Sequence, residues 1–318
     1  MKATTASFVI GCALSLIACG PEERDGDGTG DPGDPGDPGD PGNPPPPGEA
    51  SRCTKMDLVF VVDDSGSMSE EQTNLQQNFP MFADVLLNYV NPDGDHVDFR
   101  VAVTTTGKTV KVTTSIPGFP GPPISITETG ENGAFRKTCN VSRSWLEASD
   151  PNLQSTLGCR AGVGTSGPGT EMPLLVTKLA LQDRVADGTN AGFLRDDALL
   201  GIVMLTDEDD ASSTQDEVIV TTAGGSSTDF HPTDLVQFLD GLKGHRTRWA
   251  TGVIAGEANC SSAFGDAVKA TRLQEFVNLA NGNGSQQGVF SSICAGNLTT
   301  ALTEVLNKFQ SACGQIIL

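Results

Sequence analysis

The amino-acid sequence predicts a doubly wound α/β domain with a mainly parallel central sheet and helices on both faces. Strand-like and helix-like segments alternate between residues 53 and 313, which is typical of parallel strands joined by helical crossovers. Residues 58–62 and 200–205 are continuous apolar runs, as expected for central strands that are buried on both faces. The helix-like segments repeat apolar residues at steps of three and four, so each has one face to bury.

The first strand is predicted at residues 58–62, and a helix follows it. Ser67 and Glu70 have the spacing of a capping box, which indicates where that helix begins. The apolar stripe of the helix consists of Leu75, Phe79, Phe82 and Leu86. Pro80 lies inside the stripe and is expected to kink or split the helix. The next strand is predicted at residues 99–104.

The second half of the chain continues the same alternation. Strands are predicted at residues 200–205, 249–254 and 288–293, and helices at residues 174–181, 235–242 and 268–280. The last helix carries a stripe of Leu298, Leu302, Val305 and Phe309, and Asn297 is its expected N-cap.

One stretch, about residues 107–169, does not show this alternation of strand-like and helix-like segments. It is rich in Gly, Pro, Ser and Thr, and it contains Cys139 and Cys159. We therefore predict an insertion made of a β-hairpin and a disulfide-stapled loop within a domain that spans residues 52–318.

The first residues of the chain have the pattern of a secretion signal. A basic residue precedes an apolar run at residues 8–18, which is too short for a permanent membrane span. Residues 16–19 read Leu-Ile-Ala-Cys and resemble the lipobox of bacterial lipoproteins. The resemblance implies a signal peptide at residues 1–18, an acylated Cys19, and a place in the cell envelope at either face of the outer membrane. Ordinary cleavage that leaves Cys19 as a free thiol is the alternative.

A linker is predicted at residues 19–51. Its central part repeats Gly-Asp-Pro four times and is followed by four consecutive prolines. Four triplets are too few for a collagen triple helix, so we expect a stiff, acidic and disordered spacer. Thirty residues at about 3.1 Å each would extend on the order of 90 Å from the membrane.

Six cysteines remain after Cys12 and Cys19 are removed, and an exported chain favours three disulfides. Six cysteines allow fifteen pairings. The preferred one joins the cysteines that flank the domain and those within the insertion: Cys53–Cys313, Cys139–Cys159 and Cys260–Cys294. The chain has three His and no Cys-x-x-Cys pair, so a structural zinc site is not expected.

The sequence argues against several function classes. The formal net charge is −20, which repels a nucleic-acid backbone. Residues 102–109 fit a relaxed nucleotide-binding loop, but β-forming residues and prolines follow where a helix would be needed. Residues 164–168 miss the nucleophile-elbow pattern at their last position. We therefore expect no bound nucleotide and no catalysis.

Two acidic loops follow the two predicted central strands. Residues 63–67 read Asp-Asp-Ser-Gly-Ser, and residues 206–210 read Thr-Asp-Glu-Asp-Asp. Loops at the carboxyl ends of parallel strands converge on one crevice. Carboxylates and hydroxyls without thiol or imidazole suit Mg²⁺, Mn²⁺ or Ca²⁺. Taken alone, residues 63–67 could also be only a polar turn and helix cap.

Residues 62–68, Val-Asp-Asp-Ser-Gly-Ser-Met, resemble the Asp-x-Ser-x-Ser motif of von Willebrand factor A (vWA) domains. The resemblance covers residues 53–313 and implies a metal-ion-dependent adhesion site (MIDAS) with five ligands: Asp63, Ser65, Ser67, Thr170 and Asp207. The chain departs from the family in having no Gly after the last Asp. Its place is taken by three acids that could hold a second cation: Glu208, Asp209 and Asp210.

The resemblance implies one of two roles for the cation, which is expected to be Mg²⁺, with Ca²⁺ or Mn²⁺ as alternatives. In the first, an acidic side chain of a protein or surface ligand completes the coordination of the ion, and the domain is an adhesion or protein-interaction module. In the second, the ion only stabilises a structural component of the envelope. In both, the lipid anchor is the only expected contact with a membrane.

Overall fold

The computed structural model describes residues 53–91, 93–115, 121–221, 228–262, 265–296 and 298–316. The predicted signal peptide, Cys19, the linker at 19–51 and the expected cap Asn297 lie outside this set. None of the helices in the described part of the chain has the length and hydropathy needed to span a bilayer.

The strands are numbered in chain order. They are β1 Lys55–Val62, β2 Asp98–Thr105, β3 Val110–Ser115, β4 Ile124–Glu128, β5 Leu146–Glu147, β6 Leu199–Leu205, β7 Glu217–Thr221, β8 Trp249–Ala255, β9 Cys260–Ser262, β10 Gly265–Ala267 and β11 Gly288–Ser292. The helices are α1 Ser69–Leu87, α2 Leu153–Ala161, α3 Pro173–Leu181, α4 Asp183–Ala186, α5 Pro232–Lys243, α6 Thr271–Ala280 and α7 Thr299–Cys313.

A six-stranded sheet forms the centre of the domain, in the order β11-β8-β6-β1-β2-β5. The first five strands of this order pair in parallel. The short edge strand β5 runs antiparallel to β2. The predicted α/β class with a mainly parallel central sheet is therefore confirmed.

Alternate residues of β1 belong to two different hydrophobic clusters. Leu58, Phe60 and Val62 lie in a cluster with residues of α1, α2 and α7. Val59 and Val61 lie in a second cluster with residues of α3, α5 and α6. Because neighbouring strand residues point to opposite sides of a sheet, β1 is covered on both sides, which explains its unbroken apolar sequence.

A second sheet has the order β4-β3-β7. The strands β3 and β4 pair antiparallel, as expected for the hairpin predicted in the insertion. The strand β7, which the sequence pattern did not predict, pairs in parallel with β3. The insertion also contains α2 and β5, where only a loop was expected.

Two predicted helix starts differ from the structure. The helix α1 begins at Ser69 after a 3₁₀ turn at Gly66–Met68, and no side-chain cap bond is present at either start. It continues through Pro80 without being split. The helix α6 begins at Thr271 rather than near residue 268, because residue 267 still belongs to β10.

All three preferred disulfides are present: Cys53–Cys313, Cys139–Cys159 and Cys260–Cys294. The first joins the residues before β1 to the end of α7, the second closes the loop of the insertion, and the third links β9 to the residues after β11.

Candidate metal centre

The register of the sheet places the ends of three strands at the same level. Val62 pairs with Thr105 on one side and with Leu205 on the other. The next residue of each strand is therefore also level with its neighbours, which brings Asp63, Thr106 and Thr206 to one edge.

The carboxylate of Asp63 is fully buried at this edge and is oriented by neutral donors. Its Oδ2 accepts a hydrogen bond of 2.6 Å from the Thr206 hydroxyl. Its Oδ1 accepts from the backbone N–H of Ser65 at 2.8 Å and from the Thr106 hydroxyl at 3.5 Å. The amide of Gln72 donates to the Asp63 carbonyl at 2.8 Å. These contacts fix Asp63 without neutralising its charge.

The two serine hydroxyls join Asp63 to the second acidic loop. Ser65 Oγ and Ser67 Oγ lie 2.9 Å apart, and Ser67 Oγ donates to Asp207 Oδ1 at 3.3 Å. Ser65 and Asp207 are buried, whereas Ser67 is exposed. The structure therefore brings together four of the five predicted ligands, with a solvent-exposed side at Ser67.

The fifth predicted ligand, Thr170, lies in a neighbouring loop. The backbone N–H of Gly167 donates to the carbonyl of Asp64 at 2.7 Å, and this bond ties the two loops together. Thr170 is buried, but in the described part of the chain no hydrogen bond joins its side chain to the other four. Between the loops lies a cavity of about 310 Å³ that is lined by Asp64, Glu131 and Arg136, among others.

The electrostatics of the centre favour a cation. Burial raises the pKa of Asp63. Burial, followed by the charge of Asp63, raises the pKa of Asp207 to about 6 and that of Asp64 to about 7. Within the described residues, no Lys, Arg or His forms an ion pair with Asp63 or Asp207. Buried carboxylates without a counter-charge are costly.

The acids expected to form a second cation site have other partners. Asp209 accepts from the backbone N–H groups of Arg272 and Leu273 at the start of α6. Asp210 accepts from the N–H of Leu174 at the start of α3 and pairs with Arg272 at 3.2 Å. Helix N-termini attract carboxylates because their N–H groups are free. Two of the three acids therefore stabilise helices, and the structure does not gather them with Glu208 around one point.

No three Asp, Glu, His or Cys side chains are arranged to hold a metal among the residues that the structure describes. A cation at the edge of the sheet would therefore need the serine hydroxyls as well as the carboxylates. This requirement matches the predicted ligand set, in which two of the five ligands are carboxylates.

Sequence reasoning missed several polar residues of the centre. Thr106 and Thr206 hold Asp63, and each is the first residue beyond a central strand, a position that could have identified them. Glu71 and Glu171 are buried carboxylates near the centre. Burial raises the pKa of Glu71 to about 7 and, with the charges of Asp63 and Glu208, that of Glu171 to about 10. No sequence signal distinguished these two acids from solvated ones.

The segment that fits a relaxed nucleotide-binding loop has a different structure. Its first part is the end of β2, and the strand β3 begins at Val110. A strand therefore follows this segment directly, where a phosphate site would need a helix N-terminus.

No protein-family model and no curated protein sequence matches the chain. Among solved structures, it is similar to proximal thread matrix protein 1 from the mussel byssus with a zinc-occupied MIDAS motif, at 15% identity and a TM-score of 0.41 over 82% of this chain and 46% of that one. It is also similar to the pilus adhesin SpaC from Lactobacillus rhamnosus GG, at 11% identity and a TM-score of 0.38 over 82% and 31%. A third similarity is to manganese-loaded TRAP protein from Plasmodium vivax, at 9% identity and a TM-score of 0.34 over 80% and 74%. The chain thus spans less than half of the first two.

Proposed function

We propose that this chain is a doubly wound domain of the vWA type that binds a protein or surface partner through a divalent cation, without catalysis. The predicted signal peptide and the lipobox-like residues 16–19 support a lipid-anchored position in the cell envelope. The linker at residues 19–51 would hold the domain away from the membrane surface.

The observation that carries this proposal is the convergence of oxygen atoms at the edge of the central sheet. Asp63, Ser65, Ser67 and Asp207 are connected through contacts of 2.8 to 3.3 Å. Carboxylate and hydroxyl oxygens form a donor set for Mg²⁺, Mn²⁺ or Ca²⁺. Thr170 is the proposed fifth ligand, because its loop is tied to the loop of Asp63 through Gly167 and Asp64.

The ligand set also accounts for partner binding. Neutral hydroxyls are weak electron donors, so a divalent ion held by two carboxylates and hydroxyls stays electron-poor, and a carboxylate of the partner can complete its coordination. Such a contact is charge-assisted and partly desolvated, and is therefore stronger than an exposed salt bridge. The exposure of Ser67 supports access from solvent on this side.

One observation favours the second role, in which the ion serves only the stability of the fold. Asp63 and Asp207 are 0% and 4% exposed, so most of the donor set faces the protein interior. In that role cation binding would persist, but no partner would depend on it.

A capture experiment distinguishes the interaction role from the stability role. We expect the purified chain to bind Mg²⁺ or Mn²⁺ in calorimetry, and to capture a partner from envelope extract only while a cation is present. Asp63→Asn combined with Asp207→Asn should abolish both cation binding and capture. Capture that survives EDTA and the double substitution would contradict the interaction role, and a wild-type chain that binds no divalent cation would contradict both roles.

The matched control is Asp196→Asn combined with Asp197→Asn. This pair changes the net charge by the same amount, but it precedes β6, whereas Asp207 follows it. Cation binding and capture should therefore remain as in the wild type.

A further inference from the structure

The strand β4 forms an exposed edge of the second sheet. In the order β4-β3-β7 it pairs with β3 alone among the described residues. Four of its five residues are exposed, and no backbone hydrogen bond joins it to any other described part of the chain. One side of β4 therefore presents backbone N–H and C=O groups that can pair with a further strand.

Two isoleucines of β4 lie on a face that is buried in the neighbouring strand. Ile126 is opposite Val112 of β3, and Val112 belongs to the second hydrophobic cluster of the domain. Ile124 is two residues from Ile126 and therefore points to the same side. The two isoleucines are nevertheless 59% and 56% exposed, so the apolar face extends beyond the part of the sheet that the domain covers.

The edge lacks the residues that commonly prevent strand pairing. No Lys, Arg or Pro lies within β4, although such residues often protect edge strands. Pro122 and Pro123 come directly before it, and because proline has no N–H group, they limit regular pairing to the five residues of β4. Its single charged residue is Glu128, at the other end.

The sequence of β4 is complementary to a second copy of itself. In an antiparallel pairing centred on Ile126, that residue faces its own counterpart, Ser125 faces Thr127, and Ile124 faces Glu128. Like charges do not lie opposite each other in this register, and the isoleucines of both copies share one face. The chain has a net charge of −20, so a largely uncharged edge suits contact between two copies better than an acidic surface does.

We propose that two copies of this chain associate edge to edge through β4, with Ile126 of each copy at the two-fold axis. The contact is isologous, which is the commonest form of closed association between identical chains. It joins the two three-stranded sheets into one sheet of six strands. It needs no cation and is independent of the function proposed above.

The test is the mass of the purified chain in EDTA, measured by sedimentation equilibrium over a range of concentrations. The wild type should approach the mass of two chains as the concentration rises. Ile126→Lys should weaken this association at least about tenfold, because each copy loses an apolar contact and like charges then face each other at the axis. The melting temperature shows whether the variant is folded.

Ile219→Lys is the matched control. Ile219 is 52% exposed and lies on β7, at the opposite edge of the same sheet. The substitution introduces the same charge on a similarly exposed isoleucine, and the association should remain as in the wild type.

Two double variants test the register of the pairing. Ser125→Lys with Thr127→Glu places opposite charges across the axis at two positions, and it should keep the association. Ser125→Lys with Thr127→Lys places like charges at the same positions, and it should weaken the association because like charges directly opposite each other destabilise paired strands.

The proposal is overturned if the wild type keeps the mass of one chain up to about 1 mM, where even a weak dimer would be detected. It is also overturned if Ile126→Lys and Ile219→Lys associate equally well. If Ile126→Lys fails to fold, the two double variants decide, and equal association in both would contradict pairing through β4.

Discussion

Acidic side chains near the candidate metal centre are expected to determine how the domain responds to pH. Glu71 is almost fully buried, and both of its carboxylate oxygens lack hydrogen-bond partners. Burial raises the pKa values of Glu71 and Asp64 to about 7 and that of Asp207 to about 6, with nearby carboxylates adding to the effect. Each of these acids therefore stays protonated to a higher pH in the folded state than in the unfolded chain.

We predict that the metal-free domain becomes less stable as the pH rises from 5 to 7. The unfolded chain releases these protons near its ordinary pKa of about 4, whereas the folded chain retains them up to pH 6 or 7, so the native state binds more protons in this window. One pKa unit corresponds to about 1.4 kcal/mol, and we expect a fall of more than about 2 kcal/mol. Urea unfolding in EDTA at pH 5, 6 and 7 measures it.

The variant Glu71→Gln serves as the control for this effect. It removes one of the shifted groups, so its unfolding free energy should vary less with pH than that of the wild type. A metal-free wild-type stability that increases between pH 5 and pH 7 would contradict the prediction.

At the scale of secondary structure, the acidic loop at 206–210 serves two purposes. Asp207 accepts a hydrogen bond from Ser67 in the candidate metal centre, whereas Asp209 binds the N-terminus of α6. The residue before α6 is Ala270, which has no polar side chain to cap the helix. Asp209 takes over this role from a distant part of the chain.

We predict that Asp209→Ala destabilises the domain by about 1 kcal/mol, the usual cost of losing a helix cap. Its Mn²⁺ affinity should stay within about twofold of the wild type, because Asp209 does not contact the metal centre. Urea unfolding and calorimetry measure the two quantities. Exposed Glu257, replaced by Ala, is the control and should change neither.

A loss of Mn²⁺ affinity in Asp209→Ala larger than about tenfold would contradict this assignment. It would restore the idea of a second cation held by the acids after Asp207.

The elements differ in how far the sequence could predict them. Continuous apolar runs identified β1 and β6 because these strands are buried on both sides, and the polar residues directly after them indicated the candidate metal centre. The helix α2 was missed because its short apolar pattern lies in a stretch rich in turn-forming residues. The start of α1 was predicted one residue early because Ser67, which has the spacing of a cap, hydrogen-bonds Asp207 instead. Thr106 and Thr206 became significant only through the strand register.

At the scale of the whole molecule, the disulfides act on different parts of the domain. Cys53–Cys313 joins positions 260 residues apart, next to the beginning of β1. Asp63 follows the other end of that strand, so this bridge is remote from the metal centre. Cys260–Cys294 anchors the β9–β10 hairpin, and just beyond that hairpin the N–H of Val268 donates to the Asp207 carbonyl at 2.9 Å.

We predict that removing these two bridges has different consequences. Cys53→Ala with Cys313→Ala should lower the free energy of unfolding by about 5 kcal/mol, because a long closed loop loses the most chain entropy in the unfolded state. The Cys260–Cys294 bridge closes a loop of only 34 residues, so Cys260→Ala with Cys294→Ala should cost about 3 to 4 kcal/mol. The second pair should nevertheless weaken Mn²⁺ binding, since the segment that contacts Asp207 loses its anchor, whereas the first pair should leave the affinity of the folded protein unchanged.

Urea unfolding and Mn²⁺ calorimetry on both variants distinguish the two effects. The Cys139→Ala, Cys159→Ala pair provides a control in which a bridge is removed from the insertion. If the 53/313 pair lost Mn²⁺ affinity while the 260/294 pair kept it, the hairpin would not support the metal centre.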